Sequence, residues 1–238
     1  MLFWKKSPKV KVRCYSPWPQ LIDLFPVEET KKFTPQWFKN VDPYVNYNRV
    51  SGPTIKVCPG FNDLYKRGFV VPLWEDYKIK WSNSGLMDVV TPNNRKIELQ
   101  DTHPVEARGG AFKGWTHVKL HNVWMFETDR VVPFMLIDTT WNREDHQNFI
   151  VPPGVVEFKY QHALNINMFL PPLPFNQTKE IEIAAGTPMI QLVPLEPVDL
   201  EIECIPADDK KLDQLRLYRW TFNGVYLKTK KYLQRDKT

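Results

Sequence analysis

The segment at residues 152–169, PPGVVEFKYQHALNINMF, sets Glu157, Lys159 and Tyr160 close together just after a tight Pro-Pro-Gly turn. A carboxylate beside a lysine is held ionised and can still act as a base. The stretch is therefore either a plain hairpin packed into a core or the edge of a pocket. Strand alternation puts Val156, Phe158 and Tyr160 on one face and Val155, Glu157, Lys159 and Gln161 on the other. The expectation is a hairpin turning near Pro152 to Gly154, with Glu157 and Lys159 as neighbours on the polar face.

Metal chemistry has weaker signals. His117 and His121 in WTHVKLHN are four apart, a metal pair on a helix, but the segment reads as a strand. There they share a face at a separation of about 13 Å, too far for one ion. THPVE adds His103 and Glu106, and NREDHQN adds Asp145 and His146. A jelly roll could gather His103, His117 and His121, yet the His-x-His spacing of cupins is absent. No metal site and no cofactor is expected. Cys14, Cys58 and Cys204 are far apart and odd in number, so they read as reduced thiols in a cytosolic setting. Cys58, followed by Pro59, reads as a small buried side chain rather than a nucleophile.

The elements that must position these residues are mostly strands. KVKVRCY at 9–15 alternates strictly, and TIKVCPG, GFVVPLWEDYKIKWS, NRKIELQ, WTHVKLHN, VVPFMLIDTTW, GVVEFKY, ALNINMFL and PMIQLVPLEP follow. Pro72 inside the second of these after Ile55 suggests an edge or a bulge. Pro17, Pro19, Pro26, Pro35 and Pro43 break the chain before Ile55. One short helix is expected over TPQWFKN, with Thr34 as N-cap and Pro35 at the first helical position. Trp37 and Phe38 would pin this arm to the body. After Pro206 an Asp pair opens a helical pattern with Leu212 and Leu215, and Gly224 offers a stop.

The chain has 238 residues, with 42% hydrophobic, 25% charged and 13% aromatic residues, and 21 Pro against 10 Gly. This composition suits a globular protein of short strands and rigid turns rather than a helical bundle. The net charge of +5 gathers at the ends. Lys5, Lys6, Lys9, Lys11 and Arg13 lie in the first 13 residues, and nine Lys and Arg follow from Lys210 onward. Basic ends suit acidic partners or nucleic acid, although a solvated surface is the plainer reading. The nine tryptophans are scattered and read mainly as strand packing rather than a base-stacking surface. MLFWKKSPK lacks the form of a signal peptide, and no apolar run reaches membrane-spanning length. The expected location is the cytoplasm of a host cell or a virion.

PPGVVEFKY, the alternating strand after it, and the Gly-x-x-x-x-Gln-Leu-Val of GTPMIQLV resemble the third and fourth motifs of trimeric dUTPases and dCTP deaminases. The resemblance implies a β-clip fold, a distorted jelly roll. It implies that Glu157 is the acid that activates water against the α-phosphate, that Tyr160 packs on the deoxyribose, and that Gly186 and Gln191 lie in the next strand pair. Glu157 stands where that family uses Asp. FMLIDTTWNREDHQN holds no Arg-Ser-Ser-like phosphate motif, and the C-terminus is a basic tail rather than a Gly-rich lid.

A second resemblance runs from about residue 10 to 200, through PVEETKKFTPQWFKNVDP, IKVCPGFNDLYKRGFVVPLWEDYKI, FIVPPGVVEFKY and IAAGTPMIQLVPL. These segments resemble a family of uncharacterised bacterial and bacteriophage proteins, most specifically at Pro35–Phe38 and Cys58–Asp63. The expected fold is all-β, a β-clip or distorted jelly roll. Residues 1–54 are expected to form an N-terminal strand and an extended Pro-rich arm, residues 55–205 the core, and residues 206–238 a short, basic helical tail. The expected function is non-enzymatic, in phage assembly or binding, with self-association as a trimer and a viral or host protein as partner. A nucleotide-hydrolysing or deaminating enzyme with Glu157 as base, and a metal-dependent oxygenase or isomerase, are the alternatives.

Overall fold

A computed structural model describes residues 7–47, 50–91, 112–143 and 149–220. In chain order the first half holds β1 (Lys9–Ser16), α1 (Pro19–Leu24), β2 (Glu28–Glu29), α2 (Gln36–Asn40), β3 (Tyr44–Tyr47), β4 (Val50–Pro53), α3 (Pro59–Leu64), β5 (Phe69–Pro72), β6 (Tyr77–Ser82) and β7 (Gly85–Val90). The second half holds β8 (Thr116–Thr128), β9 (Pro133–Asp138), β10 (Gly154–Glu157), β11 (Ala163–Leu170), β12 (Thr178–Ile183), β13 (Pro188–Pro194), β14 (Asp199–Pro206) and α4 (Asp209–Trp220). The chain is all-β in class.

Among the described residues the strands form a four-stranded sheet β11-β8-β1-β14, a five-stranded sheet β10-β9-β13-β5-β2, a three-stranded sheet β12-β6-β7 and the β3-β4 hairpin. β1 runs parallel to β14 and antiparallel to β8. Its alternation works as the sequence implies: Val10, Val12 and Cys14 are fully buried while Lys9, Lys11 and Arg13 face outward. A phenylalanine cluster joins the two larger sheets. The Phe158 ring lies 4.7 Å from Phe126 of β8, 5.5 Å from Phe134 of β9 and 6.4 Å from Phe69 of β5. Each such burial stabilises the fold by roughly 1.5–3 kcal/mol.

Several local expectations are overturned. The strand expected at 9–15 forms as β1, but residues 17–33 after it are no extended arm. β1 is an inner strand of one sheet, β2 an edge of another, and α1 packs on β14. TIKVCPG is not a strand. A 3-10 turn at Ile55–Val57 leads into α3, because Thr54 Oγ1 accepts from Lys56 N–H and Pro59 is already set for a helical first turn. GFVVPLWEDYKIKWS is two strands in two sheets, since the chain leaves the five-stranded sheet after Pro72, which has no N–H to donate. Thr34 does not cap α2; its hydroxyl donates back to the Lys31 carbonyl, and Pro35 occupies the cap position.

The tail follows its sequence signal. α4 starts after Asp208, whose Oδ1 accepts from Lys211 N–H at 2.8 Å. Leu212 and Leu215 are buried against Tyr15 and Met125. NRKIELQ and Gly224 lie outside the described residues.

Candidate functional site

The hairpin expected at 152–169 does not form. β10 pairs with β9 in the five-stranded sheet, whereas β11 pairs with β8 in the four-stranded sheet. Between them a tight turn swings the chain from one sheet to the other, the Glu157 carbonyl accepting from Tyr160 N–H at 3.1 Å and Gln161 N–H at 3.0 Å. The faces nevertheless follow the alternation. Val156, Phe158 and Tyr160 are buried, while Val155, Lys159 and Gln161 are exposed and Glu157 is intermediate. Glu157 and Lys159 form no ion pair; the Lys159 ammonium donates instead to the Asp129 carbonyl at 3.3 Å.

Tyr160 is therefore a core side chain, which removes it as an open platform for a sugar ring within this chain. Gln191 is also engaged: its amide donates to the Leu64 and Arg67 carbonyls, each at 2.8 Å, and so closes the C-terminal end of α3 against β13. Gly186 turns the chain between β12 and β13 at φ +80°, with the Phe25 ring where a Cβ would stand. Glu157 sits opposite Pro133 and Gln191 opposite Ile137, four residues apart on β9, about 13 Å along the strand. Glu157 and Gln191 thus lie on the two strands that flank β9, offset along it.

The turn does edge a cavity, of about 320 Å³, built from other residues. Pro152, Pro153 and Gly154 form one side, and His117, Asn165, Asn167 and Phe169 form much of the rest. His117 Nε2 bonds Asn167 Oδ1 and His121 Nδ1 bonds Asn165 Oδ1, both at 3.1 Å, giving a His–Asn ladder across β8 and β11. The His117 ring also stacks on Phe169, 4.9 Å between centroids. The two asparagines were missed in the sequence, although the alternation of ALNINMFL places them on its polar face.

Asp138 and Arg143 hold this turn in place. Asp138 pairs with Arg143 and accepts from Val151 N–H at 2.8 Å, and the Arg143 guanidinium lies 3.8 Å from the centre of the Phe149 ring. Burial raises the Asp138 carboxyl above its ordinary value despite the arginine, and burial lowers Arg143. His162 sits apart from the other described histidines, its Nδ1 bonded to the Phe126 carbonyl at 2.8 Å. Among the described residues no group of three His, Cys, Asp or Glu side chains could hold a metal. His103, Glu106, Asp145 and His146 lie outside them.

The outer face of the five-stranded sheet is half covered. The end of α3 lies over Gln191, and Val70 beside it is buried. Further along, Val155, Met135 and Val193 form one row across β10, β9 and β13. Val155 is 63% exposed and Met135 39%. β10 is the last strand of this sheet among the described residues, so one backbone edge adjoins this row.

The remaining candidates have structural work. Trp37 Nε1 donates to the Trp141 carbonyl at 2.8 Å and Phe38 is buried against Tyr65, so this pair does pin its segment to the body. Trp74, Trp81 and Trp124 are core. Cys58 is half-exposed rather than buried, at the start of α3. Of the basic end residues, Lys11 pairs with Glu203 at 2.7 Å, and Arg13 and Lys211 approach Glu127 at 3.8 and 3.4 Å. No helix among the described residues is long and apolar enough to cross a membrane. Compared with known protein families, curated proteins and solved structures, the chain matches none.

Proposed function

We propose that this chain is a non-enzymatic β-protein that acts by assembly or binding, as a virion or accessory protein of bacteriophage type. Its first partner is a second copy of itself. The observation that carries this reading is the row Val155–Met135–Val193, exposed at Val155 and Met135 among the described residues, beside the edge of β10. An apolar row next to unpaired strand backbone is a template for another chain. The row carries no formal charge, which favours a like surface over a basic or acidic partner. Tyr160 in the core and Gln191 at the end of α3 support the same reading, because both are committed to the fold. The β-clip resemblance makes a trimer the expected state.

Light scattering at micromolar concentration tests this. A mass that is a multiple of 28.1 kDa, reduced to the monomer by Val155→Lys with Met135→Glu at unchanged circular dichroism, is the expected result. A monomeric wild type overturns the self-association. Incubation with dUTP and dCTP in Mg²⁺ is expected to give no turnover. Turnover lost in Glu157→Gln would make the chain an enzyme of the dUTPase-like kind instead.

A further inference from the structure

Cys14 and Cys204 come from opposite ends of the chain and stand directly opposite one another in the parallel pair β1–β14. Paired residues of neighbouring strands project to the same face. Here that face is the core: Cys14 is fully buried beside Val10 and Val12, and Cys204 packs at the border of the same cluster with Leu200 and Ile202. Neighbouring strands lie about 4.7–4.9 Å apart, within the roughly 4.4–6.8 Å Cα separation that a disulfide spans. Among the described residues β14 is the edge strand of its sheet, with no outer neighbour there to hold it against a small inward shift.

We propose that Cys14 and Cys204 are a reversible redox site, closing to a cross-strand disulfide that locks the N-terminal strand to the C-terminal one. The two thiols have different parts. Cys204 is half-exposed, donates to the Val27 carbonyl at 3.4 Å, and is lowered from its ordinary value by its hydrogen bond with Cys14. Burial raises Cys14 well above the usual thiol range. Cys204 therefore attacks first. Its thiolate displaces one thiolate from a small-molecule disulfide of the glutathione class and forms a mixed disulfide. The departing thiolate takes the Cys14 proton. The Cys14 sulfur then attacks the Cys204 sulfur and releases the second small thiol. Two protein thiols are oxidised and one external disulfide is reduced to two thiols.

The link would tie the first strand of the chain to its last among the described residues. Its closure acts next to α4, because Tyr15, the neighbour of Cys14, carries the contact with Leu212 and Leu215.

The test uses the full chain and its Cys58→Ser variant, treated with oxidised glutathione, then denatured, alkylated and mapped by mass spectrometry without reduction. The expected result in both proteins is one intramolecular link between the Cys14 and Cys204 peptides, two hydrogens lighter and reversed by dithiothreitol. In Cys204→Ser the buried Cys14 is expected to stay unmodified in the folded protein. Stable glutathione on Cys204 without a link, links only between chains through Cys58, or free Cys14 and Cys204 after treatment would each overturn the proposal.

Discussion

Gln191 and Leu64 are 127 residues apart in the chain and joined by a 2.8 Å hydrogen bond from the Gln191 amide to the Leu64 carbonyl. The same amide donates to Arg67, so one side chain satisfies two carbonyls at the end of α3. Gln191→Leu keeps the volume and removes both bonds. It is expected to lower stability by about 1–3 kcal/mol, read as a lower urea midpoint at unchanged slope.

Gly68 and Gly186 both adopt positive φ, at +77° and +80°, but differ in what a side chain would meet. A Cβ on Gly68 would lie 1.9 Å from the Leu192 carbonyl oxygen, which is backbone and paired within the sheet. A Cβ on Gly186 would lie 2.9 Å from the Phe25 ring, which can turn aside. Gly186→Ala is expected to cost about 1–3 kcal/mol for its backbone conformation, and Gly68→Ala clearly more. Thermal unfolding of the two variants side by side checks the order.

Tyr160 is packed where a sugar platform would need an open ring. Tyr160→Ala is expected to lower stability by roughly 3–5 kcal/mol, as for other buried aromatics. Denaturant unfolding measures this. A variant of wild-type stability would contradict the core role.

Two groups, His162 and Glu127, weaken the fold as the pH falls. Burial holds the His162 imidazole below its ordinary 6.5, against the upward pull of the Phe126 carbonyl and Glu127, while Lys211 and Lys159 push it further down. Burial raises Glu127, but the Tyr15 hydroxyl and Lys211 outweigh it and leave the carboxyl below 4.5. In both cases the unfolded chain binds the proton first as the pH falls. The stability from His162 is complete above about pH 6.5 and declines below it; that from Glu127 declines below about pH 4.5. Tm measured from pH 8 to 3 is expected to fall in two stages, the first absent in His162→Gln and the second in Glu127→Gln.

Local patterns in the sequence determined several of the strands and which face of each is apolar, though not at TIKVCPG, which turns into α3. KVKVRCY, WTHVKLHN and ALNINMFL needed only period-two alternation, and α4 needed only Asp208 and two leucines one turn apart. Alternation even sorted Val156, Phe158 and Tyr160 from Val155, Lys159 and Gln161. It could not say which strand each one pairs with. A strand's own residues fix its faces, while its partners depend on where distant chain segments come to rest. PPGVVEFKYQHALNINMF therefore read as one hairpin although β10 and β11 belong to different sheets. β2, β3, β4, β7, β12 and β14 went unread, although in the last Leu200, Ile202 and Cys204 alternate with Asp199, Glu201 and Glu203. The placement of the motif residues has the same cause. Glu157, Tyr160, Gly186 and Gln191 were grouped by motif order, but β9 separates Glu157 from Gln191. His117 meets Asn167, and Cys14 meets Cys204, only because the sheets bring remote residues into register.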